Sequence, residues 1–88
     1  MHRFYFNIED GASLADTEGA ELPDVQAARL EAVRLTGQIL KDQPELLWER
    51  RDFEMHVTNE ERLVLFTIQV LATDAPVLQI EVIPQTPA

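Results

Sequence analysis

The residues best suited to metal or proton chemistry are two histidines, His2 and His56, and sixteen acids. An imidazole with carboxylates can hold zinc when donors converge on one point. The spacing along the chain does not demand that convergence. His56 lies on the strand face opposite Phe53, Met55 and Val57, so a surface histidine is expected there, with His2 near the terminus. The acids are densest at Glu9, Asp10, Asp16, Glu18, Glu21 and Asp24, with no base between them. Oxygen-rich loops can take Ca²⁺, but this spacing does not follow the EF-hand pattern. Turn formation, helix capping and solvation account for it. Ser13 and Thr58 carry hydroxyls, yet neither lies in a nucleophile elbow or beside an evident base. Gly11, Gly19 and Gly37 are too scattered for a phosphate loop. The chain has no cysteine, which excludes disulfides and thiolate metal sites. No catalytic residue, no cofactor and no metal ligand is therefore expected.

Partner recognition is the chemistry that remains. Trp48 follows Pro44, Leu46 and Leu47 and precedes Arg50 and Arg51. Tryptophan and arginine are enriched at interface hot spots; the alternative is a turn that caps the core. Leu63, Leu65 and Leu71 share the second face of an apolar strand that no second helix is available to cover. Leu63, Leu65 and Trp48 are the candidate partner contacts, for an unknown protein or for a second copy in a homodimer. The formal charge of −9 repels phosphate backbones and anionic membranes, so neither nucleic acid nor membrane is an expected partner. Without a recognisable signal peptide or a long apolar run, the expected location is the cytoplasm.

These residues are positioned by a pattern of six elements. Phe4, Phe6 and Ile8 alternate with Arg3, Tyr5, Asn7 and Glu9, a half-buried strand closed by Asp10-Gly11. Residues 12–22 read as a returning loop, with a short strand near Ser13–Ala15 and a turn at Glu18-Gly19. Asp24 can cap a helix running from Val25 to Lys41. Its apolar arc holds Val25, Ala28, Ala32, Val33, Leu35, Thr36, Ile39 and Leu40. Arg29 falls within that arc and is expected to lay its stem on the core. Gly37 is either tolerated or marks a tight contact. Pro44 to Glu49 can add one helical turn. Phe53, Met55 and Val57 mark a second strand, and Asn59-Glu60-Glu61 a hairpin connection. A third strand follows over residues 62–71, with Val64, Phe66, Ile68 and Val70 on one face. Val77 to Ile83 reads as a last strand, with residues 84–88 as a tail. The expected fold is a single α+β domain over residues 1–83: a two-layer sandwich with one main helix on an antiparallel sheet of about four strands.

Several stretches together resemble a family of small uncharacterised domains common in soil alphaproteobacteria. They are Phe4-Tyr5-Phe6, Asp10-Gly11, the run Asp16-Thr17-Glu18-Gly19-Ala20-Glu21-Leu22, Glu31-Ala32, and Phe53 to Glu60. The resemblance covers about residues 3–70. The chain departs from the family pattern where the hairpin lacks a glycine, at Thr67-Ile68-Gln69, and in the added Val77–Ile83 segment. The resemblance implies fold and solubility and transfers no site. A looser likeness, through Glu9-Asp10-Gly11 and Glu31-Ala32, is to the antitoxin-type HicB fold.

The function expected from these features is that of a small non-enzymatic interaction or regulatory domain. The alternative, drawn from the antitoxin likeness, is an acidic inhibitor that masks a basic partner.

Overall fold

The computed structural model describes residues 1–9 and 15–80. Its elements run β1 (His2–Glu9), β2 (Ala20–Leu22), α1 (Val25–Asp42), α2 (Pro44–Arg50), β3 (Asp52–Thr58), β4 (Val64–Leu71) and α3 (Pro76–Ile80). The strands form one antiparallel sheet in the order β2-β1-β3-β4. The fold is α+β, with α1 and α2 laid on one face of the sheet.

Alternation decides which face is sealed. Phe6 pairs with Val57 and Ile8 with Met55 across β1 and β3, so the apolar members of both strands share a side. Phe4, Phe6, Phe53, Met55 and Val57 are buried there against Ala28 and Ala32 of α1. Asp24 caps α1 by accepting the Ala27 amide at 2.9 Å, as its position predicts. The helix ends where the Gln43 amide reaches Ile39 O at 2.9 Å, one residue before Pro44, whose ring cannot continue it. Pro44 then opens α2, and Leu46 and Leu47 pack at the rim of the core.

The stripe that α1 buries is narrower than the sequence arc. Ala28, Ala32 and Thr36 are buried at intervals of one turn, whereas Val33 is 60% exposed and Val25 also faces outward. Small side chains let the helix approach the sheet, and Leu35, Ile39 and Leu40 flank the buried stripe as partly buried residues. Arg29 is exposed and turns to Gln26 rather than covering the core. Gly37 has open space around it, so it is tolerated and marks no tight contact.

Three expectations about strands change. The returning loop contributes β2 at Ala20–Leu22, paired with His2–Phe4; of the expected Ser13–Ala15 strand, Ser13 and Leu14 lie outside the described residues. Val77 to Ile80 is helical and not a strand. Pro76 presets the backbone for a first helical position, and the Leu78 amide bonds back to Ala75 O at 2.9 Å. The rest of that expected strand, and the tail at 84–88, lie outside the described residues. Finally, β4 starts at Val64 rather than Arg62, and its register slips beside Val57 and Thr58, leaving Leu65 as an extra residue opposite β3. A bulge interrupts the pleat, so Val64 is exposed instead of sharing the face of Phe66, Ile68 and Val70.

Candidate functional site

Two surfaces carry chemistry: the edge of the sheet that, among the described residues, no further strand pairs, and the face that the helices leave open.

The edge is β4. It spans eight residues, Val64 to Leu71, and none of them is charged or proline. Edge strands are ordinarily blunted by charge, proline or shortness. The opposite edge follows that rule: β2 has three residues, one of them Glu21, and Pro23 comes directly after. The β4 side chains that point toward the helices, Phe66, Ile68 and Val70, pack on the core but stay half-buried, because α1 reaches this edge strand with only part of its length. Leu63 and Leu71 are exposed at its two ends, the latter to 65%.

The three sequence-predicted contacts do not form one patch. Leu63 and Leu65 lie at the start of β4. Trp48 sits on α2, 52% exposed, with the Arg51 guanidinium 5.6 Å from its ring centre. Arg51 is tied to the far end of β4, since its carbonyl accepts the Ala72 amide at 3.0 Å and its guanidinium pairs with Asp74 at 3.3 Å. Leu65 and the Ala72 end are roughly 20 Å apart along an extended strand. Trp48 is thus neither a buried cap nor a neighbour of Leu65; through Arg51 it is linked to the Ala72 end of the strand.

The open face is polar, and the acidic loop is anchored to it. Asp16 accepts the amides of Glu18 and Gly19 on one carboxylate oxygen, at 3.0 and 3.1 Å, and the Phe6 amide on the other, at 3.1 Å. Asn7 accepts the Asp16 amide at 2.9 Å and donates to His56 O at 3.1 Å. Arg62 closes the clasp from the hairpin: it donates to Asp16 O at 3.2 Å and stacks 4.1 Å from the centre of the Tyr5 ring. Its φ of 67° fills the left-handed position where a glycine would be expected. Glu21 pairs with Arg3 at 3.3 Å, and Leu22 packs on the core. Of the run that looked like a cation loop, Asp16 sits in the clasp, Glu21 in an ion pair and Asp24 in the helix cap, and Asp10 lies outside the described residues.

Burial pushes the Asp16 carboxyl up, but the amides of Gly19, Phe6 and Glu18 and the Arg62 guanidinium outweigh it. The net shift is downward from the ordinary carboxylate value. A carboxyl depressed on folding stabilises the fold fully above its unfolded-state pKa and loses that contribution as pH falls through the folded value. Asp16→Ala should cost about 1–2 kcal/mol at neutral pH, and the gap to wild type should close below about pH 4. Urea unfolding followed by circular dichroism at neutral and acid pH checks both; an equal cost at both pH values would count against the clasp.

Beside the clasp the register brings together three groups that sequence spacing left apart. Glu9 and Glu54 are direct cross-strand partners, and His56 is next on the same face. His56 Nε2 lies 3.3 Å from Oε1 of each glutamate. Its Nδ1 is 3.0 Å from Thr67 Oγ1, and Gln69 donates to Glu54 Oε2 at 2.9 Å. The alternating Glu54 and His56 were a visible hint; Glu9 joins them only through strand pairing.

A groove of about 440 Å³ lies at the end of the sheet, between the start of β1, the start of α1 and the β3–β4 hairpin. Its lining mixes His2, Arg3, Asp24, Glu60 and Glu61 with Phe4 and Leu65, a charged rim rather than the apolar enclosure that ordinarily holds a small molecule. Of the hydroxyls that could act as nucleophiles, Thr58 is buried and Ser13 lies outside the described residues. Among the described residues no helix is long and apolar enough to cross a membrane. No curated protein and no solved structure matches the chain. A family model described as a domain of unknown function (DUF6894) matches residues 3–72, most of the chain's length, and the chain belongs to that family.

Proposed function

We infer that this chain is a protein-interaction domain without catalytic activity, and that it works by pairing its β4 edge with β4 of a second copy. The observation that carries this reading is an eight-residue edge strand with no charge and no proline. Among the described residues no strand pairs its outer backbone groups, and an open strand edge is a template for strand addition. A second copy is the favoured occupant because of how the strand is patterned. Opposed residues of an antiparallel pair share a face, so the two-fold axis falls on a residue; with the axis on Ile68, Leu65 of one copy meets Leu71 of the other and Phe66 meets Val70. Exposed apolar residues at both ends of β4 are thereby covered together, and the surface is self-complementary as a two-fold interface requires. The half-buried row of Phe66, Ile68 and Val70 would also gain cover.

The test is sedimentation equilibrium of the full chain at micromolar concentration. The expected species has twice the 10.0 kDa chain mass, and Leu65→Lys with Leu71→Lys should return it to monomer without loss of circular dichroism. A wild-type monomer at that concentration, or a dimer indifferent to both lysines, would sink the reading. The net charge of −9 favours a second reading, an acidic inhibitor of a basic partner. That reading uses the charged surface rather than the neutral edge, so its complex would weaken steeply with salt and survive the lysine pair.

A further inference from the structure

Glu9 and Glu54 face each other directly across β1 and β3. Like charges in that position destabilise a sheet, unless a cation lies between them. His56 supplies the third donor, and one carboxylate oxygen of each glutamate and a ring nitrogen of His56 all lie within 4.8 Å of one another. The two distances from Nε2 decide what the arrangement suits. A charge-assisted N–H to carboxylate hydrogen bond is about 2.7–2.9 Å long, and one N–H shared between two carboxylates aims squarely at neither. Both contacts measure 3.3 Å instead. A metal with bonds of about 2.0–2.1 Å places tetrahedral donors about 3.4 Å apart, which matches the spacing from Nε2 to each glutamate oxygen.

The surrounding residues fix the same three donors. Thr67 Oγ1, 3.0 Å from Nδ1, can accept an Nδ1–H and leave the Nε2 lone pair facing the glutamates. Gln69 occupies Glu54 Oε2 and leaves Oε1 turned toward His56. Partners of this kind, on the far side of a ligand, orient metal-binding imidazoles and carboxylates. All five residues stand on paired strands rather than on loops.

We propose that Glu9, Glu54 and His56 form a binding site for a divalent first-row transition ion, best matched by Zn²⁺. The ion is held by Oε1 of each glutamate and Nε2 of His56, and a fourth position is open to water. An imidazole nitrogen disfavours Ca²⁺ and Mg²⁺, which prefer all-oxygen shells. The rival is a protonated His56 bridging the two carboxylates with no metal.

The test titrates the chelator-treated full chain with Zn²⁺ by calorimetry, and with Co²⁺ by visible absorption. One equivalent should bind, with a Kd on the order of micromolar or tighter, and Co²⁺ should develop the d–d bands of a low-coordinate nitrogen–oxygen site. His56→Ala and the isosteric Glu54→Gln should each weaken Zn²⁺ at least ~10-fold, and Gln69→Ala should weaken it by about 10-fold. His2→Ala, which removes the chain's other histidine, should change nothing. Absence of binding at ~100 µM Zn²⁺, or affinity unaltered in both His56→Ala and Glu54→Gln, would overturn the proposal in favour of the metal-free ion pair.

Discussion

Phe53→Ala should remove about 3–5 kcal/mol of stability, enough to leave a domain of this size barely folded. The large side chains that are fully buried, Phe53, Met55 and Val57, all belong to β3, the strand with β1 on one side and β4 on the other. Phe53 is 1% exposed and stands in the cluster formed with Phe4, Phe6, Ala28 and Ala32. Truncation there loses the transfer energy of an aromatic ring and leaves a cavity. The alanines of α1 have no length with which to fill it. Small domains hold a few kcal/mol in reserve, so a loss of this size should bring unfolding near ambient temperature. Urea titration followed by far-ultraviolet circular dichroism measures it; Trp48 fluorescence is a poor reporter, because that ring is already half in water. A cost below ~1 kcal/mol would mean that the helices do not seal the sheet in the way described.

How far such a core can be read from sequence depends on which rule each element obeys. Phe4, Phe6 and Ile8, and then Phe53, Met55 and Val57, announce strands because period-two alternation is a local property. The span of α1 is legible for the same reason, with Asp24 at one end and Pro44 at the other. Legibility fails where geometry is set by something distant. β2 has three residues, too few for a period, and exists because Ala20–Leu22 finds β1. Leu78 and Ile80 fit a strand or a helix equally well, and Pro76 tips them to the helix. The slip at Leu65 cannot be seen in the string of apolar residues around it, yet it moves Val64 off the expected face. The site follows the same division. Trp48, Leu63 and Leu65 are legible as exposed apolar residues, but the link of Trp48 through Arg51 to the far end of β4 is not. Glu54 and His56 lie two apart on a predicted strand. Their meeting with Glu9 is a fact of register, and register is a long-range property.

Gly19→Ala is expected to cost on the order of 2–3 kcal/mol, although it adds one methyl group to a surface loop. Gly19 has φ of +71°, and a Cβ placed there would lie 2.8 Å from Phe4 O and 3.0 Å from side-chain atoms of Arg3 and Tyr5. The side-chain contacts could yield; Phe4 O belongs to the backbone of β1 and cannot move without disturbing its pairing with β2. Gly19 also donates its amide to Asp16, so a shift that relieves the clash opens the clasp as well. Gly37 supplies the control. Its Cβ would meet nothing within 4 Å, and it sits inside α1, so Gly37→Ala should stabilise by about 0.5–1 kcal/mol. The two substitutions are chemically identical and opposite in sign, which separates a local backbone demand from any general effect of removing glycine. Thermal or urea midpoints of the pair decide it, and similar shifts for both would refute the close approach at Gly19. The consequence reaches the family resemblance, because Asp16, Gly19, Glu21 and Leu22 all belong to the stretch that carries it. Each has a mechanical task there: a clasp, a close approach, an ion pair, a core contact. That stretch is explained by holding the acidic loop on β1, and the chemistry of the chain is to be sought at the β4 edge and at Glu9, Glu54 and His56.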